Sequence, residues 1–228
     1  MAKVVFSAVV GDARNKAGGV VFSKSKAGAI IRRKVSPVQP RTSYQRNVRA
    51  CFTALSKLWG DPSMDANRAG WITLAGNSPQ TDVFGNTIYL TGLQMFQRCN
   101  RALQAIEEAH ILVAPAALVC GSPGALTVTA NVAAGTITVT NAVQATANEH
   151  PVCFAAPACG AGRKFIGNRC RQIVFGAAAQ AGPFAVGQVY KDKYGAWAVG
   201  QRIFVELFFT RDDTGAQGGV SSADCIST

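Results

Sequence analysis

Charged side chains are scarce in this sequence. They make up 15% of its 228 residues, whereas an ordinary soluble domain has roughly 25%. A monomeric protein of this size normally covers its surface with Lys, Arg, Glu and Asp side chains. The scarcity therefore predicts that neighbouring subunits cover part of the surface. An ordinary monomer solvated by small polar residues is the alternative explanation.

Histidine is also scarce, which leaves little material for a catalytic site. Of the two histidines, only His150 has a nucleophile, Cys153, near it in sequence. Three positions apart on a strand, the two side chains point to opposite faces. That arrangement prevents the hydrogen bond through which a base activates a thiol. We therefore predict that the protein is not an enzyme and carries no cofactor.

The cysteines lack the spacing of a metal site. None of the seven forms a C-x2-C pair, the arrangement that presents two thiolates to zinc from one turn. A zinc site on His150 and the cysteines that follow it is therefore disfavoured. Cys51 and Cys99 fall on apolar helix stripes and are interpreted as core residues. A disulfide formed after release from the cytosol and free thiols remain open for the other five: Cys120, Cys153, Cys159, Cys170 and Cys225.

Long apolar runs are missing as well. No uninterrupted stretch approaches the roughly 18 residues of a membrane helix. The N-terminal residues, MAKVVFSAVV, are followed by charged turn residues and lack the layout of a secretory signal. We expect synthesis in the cytoplasm and no membrane partner.

Acidic residues are almost absent from the first quarter of the chain. Residues 1–60 hold 12 of the 23 Lys and Arg and one acid, Asp12, whereas residues 61–228 hold 11 basic and 11 acidic residues. The whole net charge of +11 therefore lies in the first 60 residues. Such a segment attracts phosphate backbones or acidic protein surfaces, although its charge could also serve solubility alone. The candidate assembly or phosphate contacts are Lys24, Lys26, Arg32, Arg33, Lys34, Arg41, Arg46 and Arg49.

Residues 1–40 are predicted to form a basic, extended or β-hairpin arm. Short apolar runs at 4–10, 20–22 and 29–31 favour strands, and the turn-prone GDARNKAGG separates the first two. Pro37 and Pro40 favour an extended exit. Because isolated hairpins are marginal in water, we expect this arm to pair with another subunit.

Residues 41–110 are predicted to form a small three-helix bundle. Apolar residues recur at steps of three and four over 42–59, and again towards residue 106 in a helix that begins near 91. A shorter helix is expected at 63–75, and a polar loop with a turn at Gly85-Asn86 at 76–90. Capping-box pairs Thr42/Gln45 and Thr91/Gln94 mark two of the helix starts. The core or interface candidates here are Leu55, Trp59, Trp71 and Phe96.

Residues 111–228 are predicted to form an antiparallel β-sandwich of the immunoglobulin or fibronectin kind. Alternating residues at 126–141 indicate a hairpin, and further strands are expected at 151–154, 172–175, 186–190 and 202–210. The run QRIFVELFFT suits a strand covered on both faces. We expect one face, represented by Phe204 or Phe209, to meet the core and the other to meet a neighbouring subunit or the helices. A strand buried entirely within its own chain is the alternative. The predicted fold class is α+β.

Four short stretches carry a resemblance to a known group. They are GGVVFSKSKAGAIIRRKVSPVQP, FTALSKLW, NRAGWITLA and DVFGNTIYLTGLQMFQRCNRAL. In their order and spacing the chain resembles, over roughly residues 15–106, a group of uncharacterised proteins encoded by tailed bacteriophages and phage-like regions of bacterial genomes. The resemblance implies a structural role in a virion and assigns no catalytic residue.

Two functions fit these observations. The first is a structural protein of a bacteriophage virion (capsid, decoration or tail component) that self-assembles through its basic arm and apolar surfaces. Its partners would be copies of itself and other virion proteins. The alternative is a sequence-independent nucleic-acid-binding protein that uses the arm on phosphates. Base-stacking modules interleave aromatic and basic residues, and residues 1–40 hold only Phe6 and Phe22 as aromatics, which favours the virion protein.

Overall fold

The protein is a mixed α+β chain whose sheets are antiparallel. The computed structural model describes residues 2–5, 12–25, 28–35, 41–167 and 169–228. Four strands near the N terminus form one sheet in the order β1-β4-β3-β2, with bounds β1 Ala2–Val4, β2 Asn15–Ala17, β3 Val20–Ser25 and β4 Gly28–Arg33. Below, this sheet is called the N-terminal sheet.

The N-terminal sheet follows the predicted strands and adds one. The apolar runs at 20–22 and 29–31 lie in β3 and β4, whereas residues 6–10 of the first run, Pro37 and Pro40 lie outside the described residues. The stretch expected to be a turn contains β2, because Ala17 pairs with Val20 across a two-residue Gly-Gly turn. Gly18 takes φ +57° there, a conformation that glycine adopts without steric cost.

Three helices follow, and the N-terminal caps of the first and third lie at Thr42 and Thr91, as the sequence predicts. Their bounds are α1 Ser43–Gly60, α2 Asp65–Asn77 and α3 Gly92–Ala105, with a single 3-10 turn at Pro62–Met64. The Thr91/Gln94 capping box is complete, with both reciprocal hydrogen bonds present. At the start of α1, Thr42 Oγ1 accepts from the Gln45 N–H at 3.3 Å. Asp61 caps the 3-10 turn by accepting from the Ser63 N–H at 2.9 Å.

The three helices share one apolar core. Leu55, Trp71 and Phe96 are fully buried in it, and the Trp71 and Phe96 rings meet edge to face at 5.3 Å. Two residues of the α1 stripe are less buried than expected: Phe52 is exposed and Trp59 is half-buried. The reason is that α2 and α3 cover α1 around Cys51 and Leu55 and leave the flank that carries Phe52 in solvent.

The polar loop expected at 76–90 contains a short hairpin. Its strands are β5 Gln80–Thr81 and β6 Thr87–Ile88. The carboxylate of Asp82 holds the turn by accepting from the N–H groups of Phe84 at 2.7 Å and Asn86 at 3.0 Å. The predicted turn at Gly85-Asn86 lies inside this hairpin, where Gly85 has φ +81°.

The second half of the chain forms two further sheets. One has the path β10-β13-β9-β11 with β14 paired to β13, and the other has the order β12-β8-β7. The bounds are β7 Leu126–Asn131, β8 Thr136–Asn141, β9 Glu149–Ala155, β10 Cys159–Gly160, β11 Arg171–Phe175, β12 Phe184–Ala185, β13 Gln201–Arg211 and β14 Ser221–Ile226. A single cluster of buried side chains from both sheets joins them, including Ile137, Val139, Ile203, Val205 and Leu207.

One predicted strand in this half is wrong. Residues 186–190 lead into a helix, α4 Gly187–Tyr194. Val186 and Tyr190 are both buried, and a spacing of four puts them on one side of a helix. On the solvent side, Gln188 and Asp192 form a hydrogen bond of 2.8 Å at the same spacing. The short apolar run is compatible with both strand and helix periodicity, and the burial of Tyr190 together with Val186 favours the helix.

The outer face of β13 meets the helices. Leu103 and Ile106 near the end of α3 are buried against Val152, with Phe154 and Phe208 packed beside them. The Gln172 side-chain amide also donates to the Ala105 carbonyl at 2.8 Å. Of the two outcomes expected for this face, contact with the helices is the one observed at Phe208. Phe209 points to the opposite side and is fully buried.

All seven cysteines are free thiols. Cys51 and Cys99 are buried in the helical core, as predicted. The part of the chain described here contains no group of three His, Cys, Asp or Glu that could hold a metal ion. Nor does any helix in that part have the length and apolarity needed to cross a membrane.

Candidate interaction site on the N-terminal sheet

The N-terminal sheet has two chemically different faces. Paired residues of an antiparallel ladder project to the same side, so the register assigns every side chain to a face. One face, called here the apolar face, carries Val4, Val20, Phe22, Ala29 and Ile31. The other, called here the mixed face, carries Lys3, Lys16, Val21, Ile30 and Arg32.

No side chain described in this sheet is buried. The strand residues are half-buried at best, and Val5 and Val35, which follow β1 and β4, are 76% and 64% exposed. By contrast, β13 buries every second residue from Ile203 to Phe209. A sheet becomes stable in water when a hydrophobic face is covered. The apolar side chains of this sheet are therefore covered less completely than those of β13.

The eight candidate basic residues do not converge on one patch. The side chains of Lys24 and Arg33 project from the apolar face, next to Ala29 and Val20. The side chain of Arg32 projects from the mixed face. Lys34 is exposed just beyond β4 and donates its N–H to the Gly19 carbonyl at 2.8 Å. The other described candidates are exposed at the start or in the first turns of α1, namely Arg41, Arg46 and Arg49. Lys26 lies outside the described residues.

The single acid of the arm neutralises part of this charge locally. The Asp12 carboxylate lies 3.0 Å from Arg14 Nε and 3.9 Å from Lys24 Nζ. Both pairs are well exposed, so each stabilises the sheet by about 1 kcal/mol or less. Arg32, Arg33 and Lys34 have no acidic partner among the described residues. Their charge is therefore available to an anionic partner.

An ion pair connects the N-terminal sheet to the helices. Lys3 Nζ donates to Asp82 Oδ2 at 2.9 Å, in the β5–β6 hairpin. The Lys3 ammonium lowers the pKa of Asp82 to about 2, with help from the Asn86 and Phe84 N–H groups and against the effect of burial. Lys3 belongs to the mixed face, so this connection does not use the apolar face.

A second apolar surface lies on the helices. Trp59, Ile72, Tyr89 and Leu93 line a groove of about 520 Å³ between α1, α2 and the start of α3. Ile72 is 60% and Tyr89 49% exposed. Of the residues that line this groove, only Trp59 is a candidate from the sequence. The position of Ile72 could have indicated the groove, because Ile72 lies off the buried stripe of α2, which runs through Trp71, Leu74 and Ala75.

The core or interface candidates divide by burial. Leu55, Trp71, Phe96 and Phe209 are fully buried, so they hold the chain together. Trp59 is half-buried and lines the groove just described. Phe204 is half-buried beside a second cavity of about 220 Å³, next to Phe165 and Ile166.

Two of the thiols, Cys120 and Cys153, are poor nucleophiles in their surroundings. Burial raises the pKa of Cys153 to about 12, and burial together with the nearby Glu149 carboxylate raises that of Cys120 to about 11. His150 places Nδ1 3.0 Å from the Gly176 carbonyl and Nε2 3.4 Å from the Asp212 carboxylate. Both thiols are protonated at neutral pH, and a thiol must be ionised to attack a substrate.

No protein-family model, no curated protein and no solved structure matches this chain. Its function is therefore inferred from the geometry of the described residues. Two features bear on that function: the incompletely covered apolar face of a basic sheet and the apolar groove on the helices.

Proposed function

We propose that this protein is a structural subunit that self-assembles through its N-terminal sheet, in the virion of a tailed bacteriophage. The observation that carries the proposal is a four-stranded sheet with no buried side chain among its described residues. The rest of the chain buries three clusters of apolar side chains. The resemblance of residues 15–106 supplies the virion as the setting, with other virion proteins as further partners.

The occupant of the apolar face is a second copy of the chain. The apolar groove around Ile72 and Tyr89 offers a surface of matching chemistry on every subunit. Residues 61–228 carry equal numbers of basic and acidic residues, so this part of a neighbour does not repel the basic sheet. A sheet that docks on a different surface of the next copy makes a head-to-tail contact, which produces rings or open filaments.

The finer architecture belongs to the same proposal. The shared core of α1, α2 and α3 supports a small three-helix bundle. The cluster between the β7–β8 hairpin and the β9–β13 sheet supports an immunoglobulin- or fibronectin-like β-sandwich. In this arrangement the arm of residues 1–40 connects subunits, residues 41–110 receive it, and residues 111–228 form lattice contacts or are displayed.

The experiment is to place a charge in the groove and follow oligomeric mass. Ile72→Asp should leave the fold intact, because the side chain is exposed, and should shift the protein towards monomer in size-exclusion chromatography with light scattering. Val199→Asp is the matched control, since Val199 is 70% exposed in the C-terminal half. Deletion of residues 1–40 should likewise give a folded monomer. A native assembly that survives both the Ile72 change and the deletion would overturn the proposal.

A second candidate function is sequence-independent binding of nucleic acid through the arm. It is favoured by the net charge of +11, which lies within residues 1–60, and by Arg32, Arg33 and Lys34, which have no acidic partner in the part of the chain that the structure describes. Salt distinguishes the two functions. Contacts to several phosphates weaken by orders of magnitude between about 50 and 200 mM salt, whereas apolar assembly persists or strengthens.

A further inference from the structure

A second basic site lies far from the arm in sequence. It lies where α3 meets β11, an edge strand of the β10-β13-β9-β11 sheet. Arg98, Arg101, Ala102 and Ala105 form one side of a groove of about 640 Å³, and Phe154, Arg171, Gln172 and Lys193 form the other. Positions 98, 101, 102 and 105 follow helical spacing, so one face of α3 supplies the first side. This volume is that of an ordinary small-molecule site.

The groove collects positive charge without an acid in its lining. Four cations line it, and none of its described lining residues is Asp or Glu. Among the described residues, Arg98, Arg101 and Lys193 have no acidic partner. Glu206 pairs with Phe154 in the ladder and shares its face, but it lines the neighbouring cavity around Phe165. An anion in the groove would therefore meet three cations that no carboxylate neutralises.

Hydrogen bonds hold two of the polar groups in place. Gln172 donates to the Ala105 carbonyl at 2.8 Å and joins the two sides of the groove. Lys193 donates to the Gln172 carbonyl, which keeps its ammonium at the rim. Arg171, the fourth cation, donates to the Cys170 carbonyl at 2.8 Å. The Lys193 and Arg171 charges are close enough that, besides burial, Arg171 lowers the pKa of Lys193.

The floor of the groove is apolar and aromatic. The half-buried Phe154 ring lies 5.4 Å from that of Phe208, and it lines the groove together with the small side chains of Ala102 and Ala105. A planar group entering the groove can therefore lie against Phe154 while an attached anion reaches the cations. Nucleobases stack on aromatic side chains in this way, and their phosphates bind Arg and Lys.

We propose that this groove binds one nucleotide unit, with the phosphate on Arg98, Arg101 and Lys193 and the base against Phe154. The unit belongs either to a free nucleotide or to single-stranded nucleic acid. This site does not depend on the arm or on self-assembly.

The test uses the full chain, with inorganic phosphate, AMP and a single-stranded oligothymidylate as probes in isothermal titration calorimetry. AMP should bind at least about fivefold more tightly than phosphate, because stacking of the base on Phe154 adds to the phosphate contacts. The double variant Arg98→Gln/Arg101→Gln should lose at least about tenfold in affinity for AMP. The matched control, Arg32→Gln/Arg33→Gln, removes the same charge from the arm and should leave AMP affinity unchanged.

The probes distinguish the sources of the nucleotide. Tighter binding of the oligonucleotide than of AMP, lost in the groove variant and retained in the arm variant, supports single-stranded nucleic acid. AMP binding at least as tight as the oligonucleotide supports a free nucleotide. Phe154→Leu, checked for folding by thermal unfolding, should weaken AMP but not phosphate. Equal affinity for phosphate and AMP, unchanged AMP affinity in the groove variant, or no binding at millimolar AMP would overturn the proposal.

Discussion

The N-terminal sheet and the large C-terminal sheet are both antiparallel and both rich in β-branched and aromatic residues, yet they differ in burial. In β13, Ile203, Val205 and Leu207 are buried in one cluster with residues of β7 and β8, and Phe208 on the outer face packs against the end of α3. In β3 and β4 no described side chain is buried. Strand-forming residues thus make a strand in either place, and the covering layer decides how much it contributes to stability. We assign further covering of the N-terminal sheet to a neighbouring subunit.

The largest expected effect comes from removing a buried aromatic side chain of β13, in the sheet that other layers cover. Phe209→Ala should lower the free energy of unfolding by about 3–5 kcal/mol, through lost burial and the cavity left behind. Ile31→Ala on the apolar face should cost the monomer well under half as much, because its side chain is only half-buried. Urea unfolding of the two variants at low protein concentration measures both values. Equal losses would show that the N-terminal sheet has its own core.

The helical core should behave like the covered sheet. Leu55 is fully buried, so Leu55→Ala should cost about 2–5 kcal/mol. Arg46 is exposed on the same helix, and Arg46→Ala should change stability by less than about 0.5 kcal/mol. Chemical denaturation of the two variants measures both changes in the free energy of unfolding. A greater loss from the arginine change would mean that the buried side of α1 is misassigned.

A buried carboxylate at the start of β9 should make the covered sheet sensitive to acid. Glu149 accepts from the N–H groups of Gly121 at 2.6 Å and Thr146 at 2.9 Å. Burial alone would raise its pKa, but these hydrogen bonds outweigh burial and hold the pKa below its usual 4.5. Its contribution is therefore fully present above pH 4.5 and is lost as the pH falls through the lower folded value.

Glu149→Gln tests this contribution. The variant should lose about 1–3 kcal/mol at neutral pH, because Gly121 and Thr146 lose a charged acceptor. Unfolding measured from pH 7 to pH 3 should show a smaller decrease in stability for the variant than for the native protein. Parallel pH profiles would indicate that the carboxylate does not titrate with unfolding.

The smallest expected effect concerns the connection of the N-terminal sheet to the helices. Asp82→Asn removes the ion pair with Lys3 and should leave global unfolding nearly unchanged, while residues 2–35 become more sensitive to trypsin. The pKa of Asp82 is lowered from 3.8 to about 2. In the native protein the connection should therefore be complete above pH 3.8 and weaken as the pH approaches 2. Unchanged trypsin sensitivity in the variant would show that other contacts hold the sheet.

Expectations based on local signals succeeded best. The caps at Thr42 and Thr91 lie where predicted, and so does the hairpin between β7 and β8, because each depends on a few neighbouring residues. The α1 prediction was less accurate in detail, since it placed the exposed Phe52 on the same buried stripe as Leu55. Periodicity identifies the helix, but the neighbouring helices decide which part of its stripe they cover.

The sequence by itself determined the positions of the first three helices and most strands, the concentration of positive charge in the first 60 residues, and the mixed α+β class. Tertiary structure alone decided that 187–194 is a helix and that the polar segment 221–226 is a strand paired with β13. It also brought Arg98 and Arg101 opposite Arg171 and Lys193. These outcomes depend on contacts between residues far apart in sequence, and a local pattern of apolar and polar side chains contains no information about the partner.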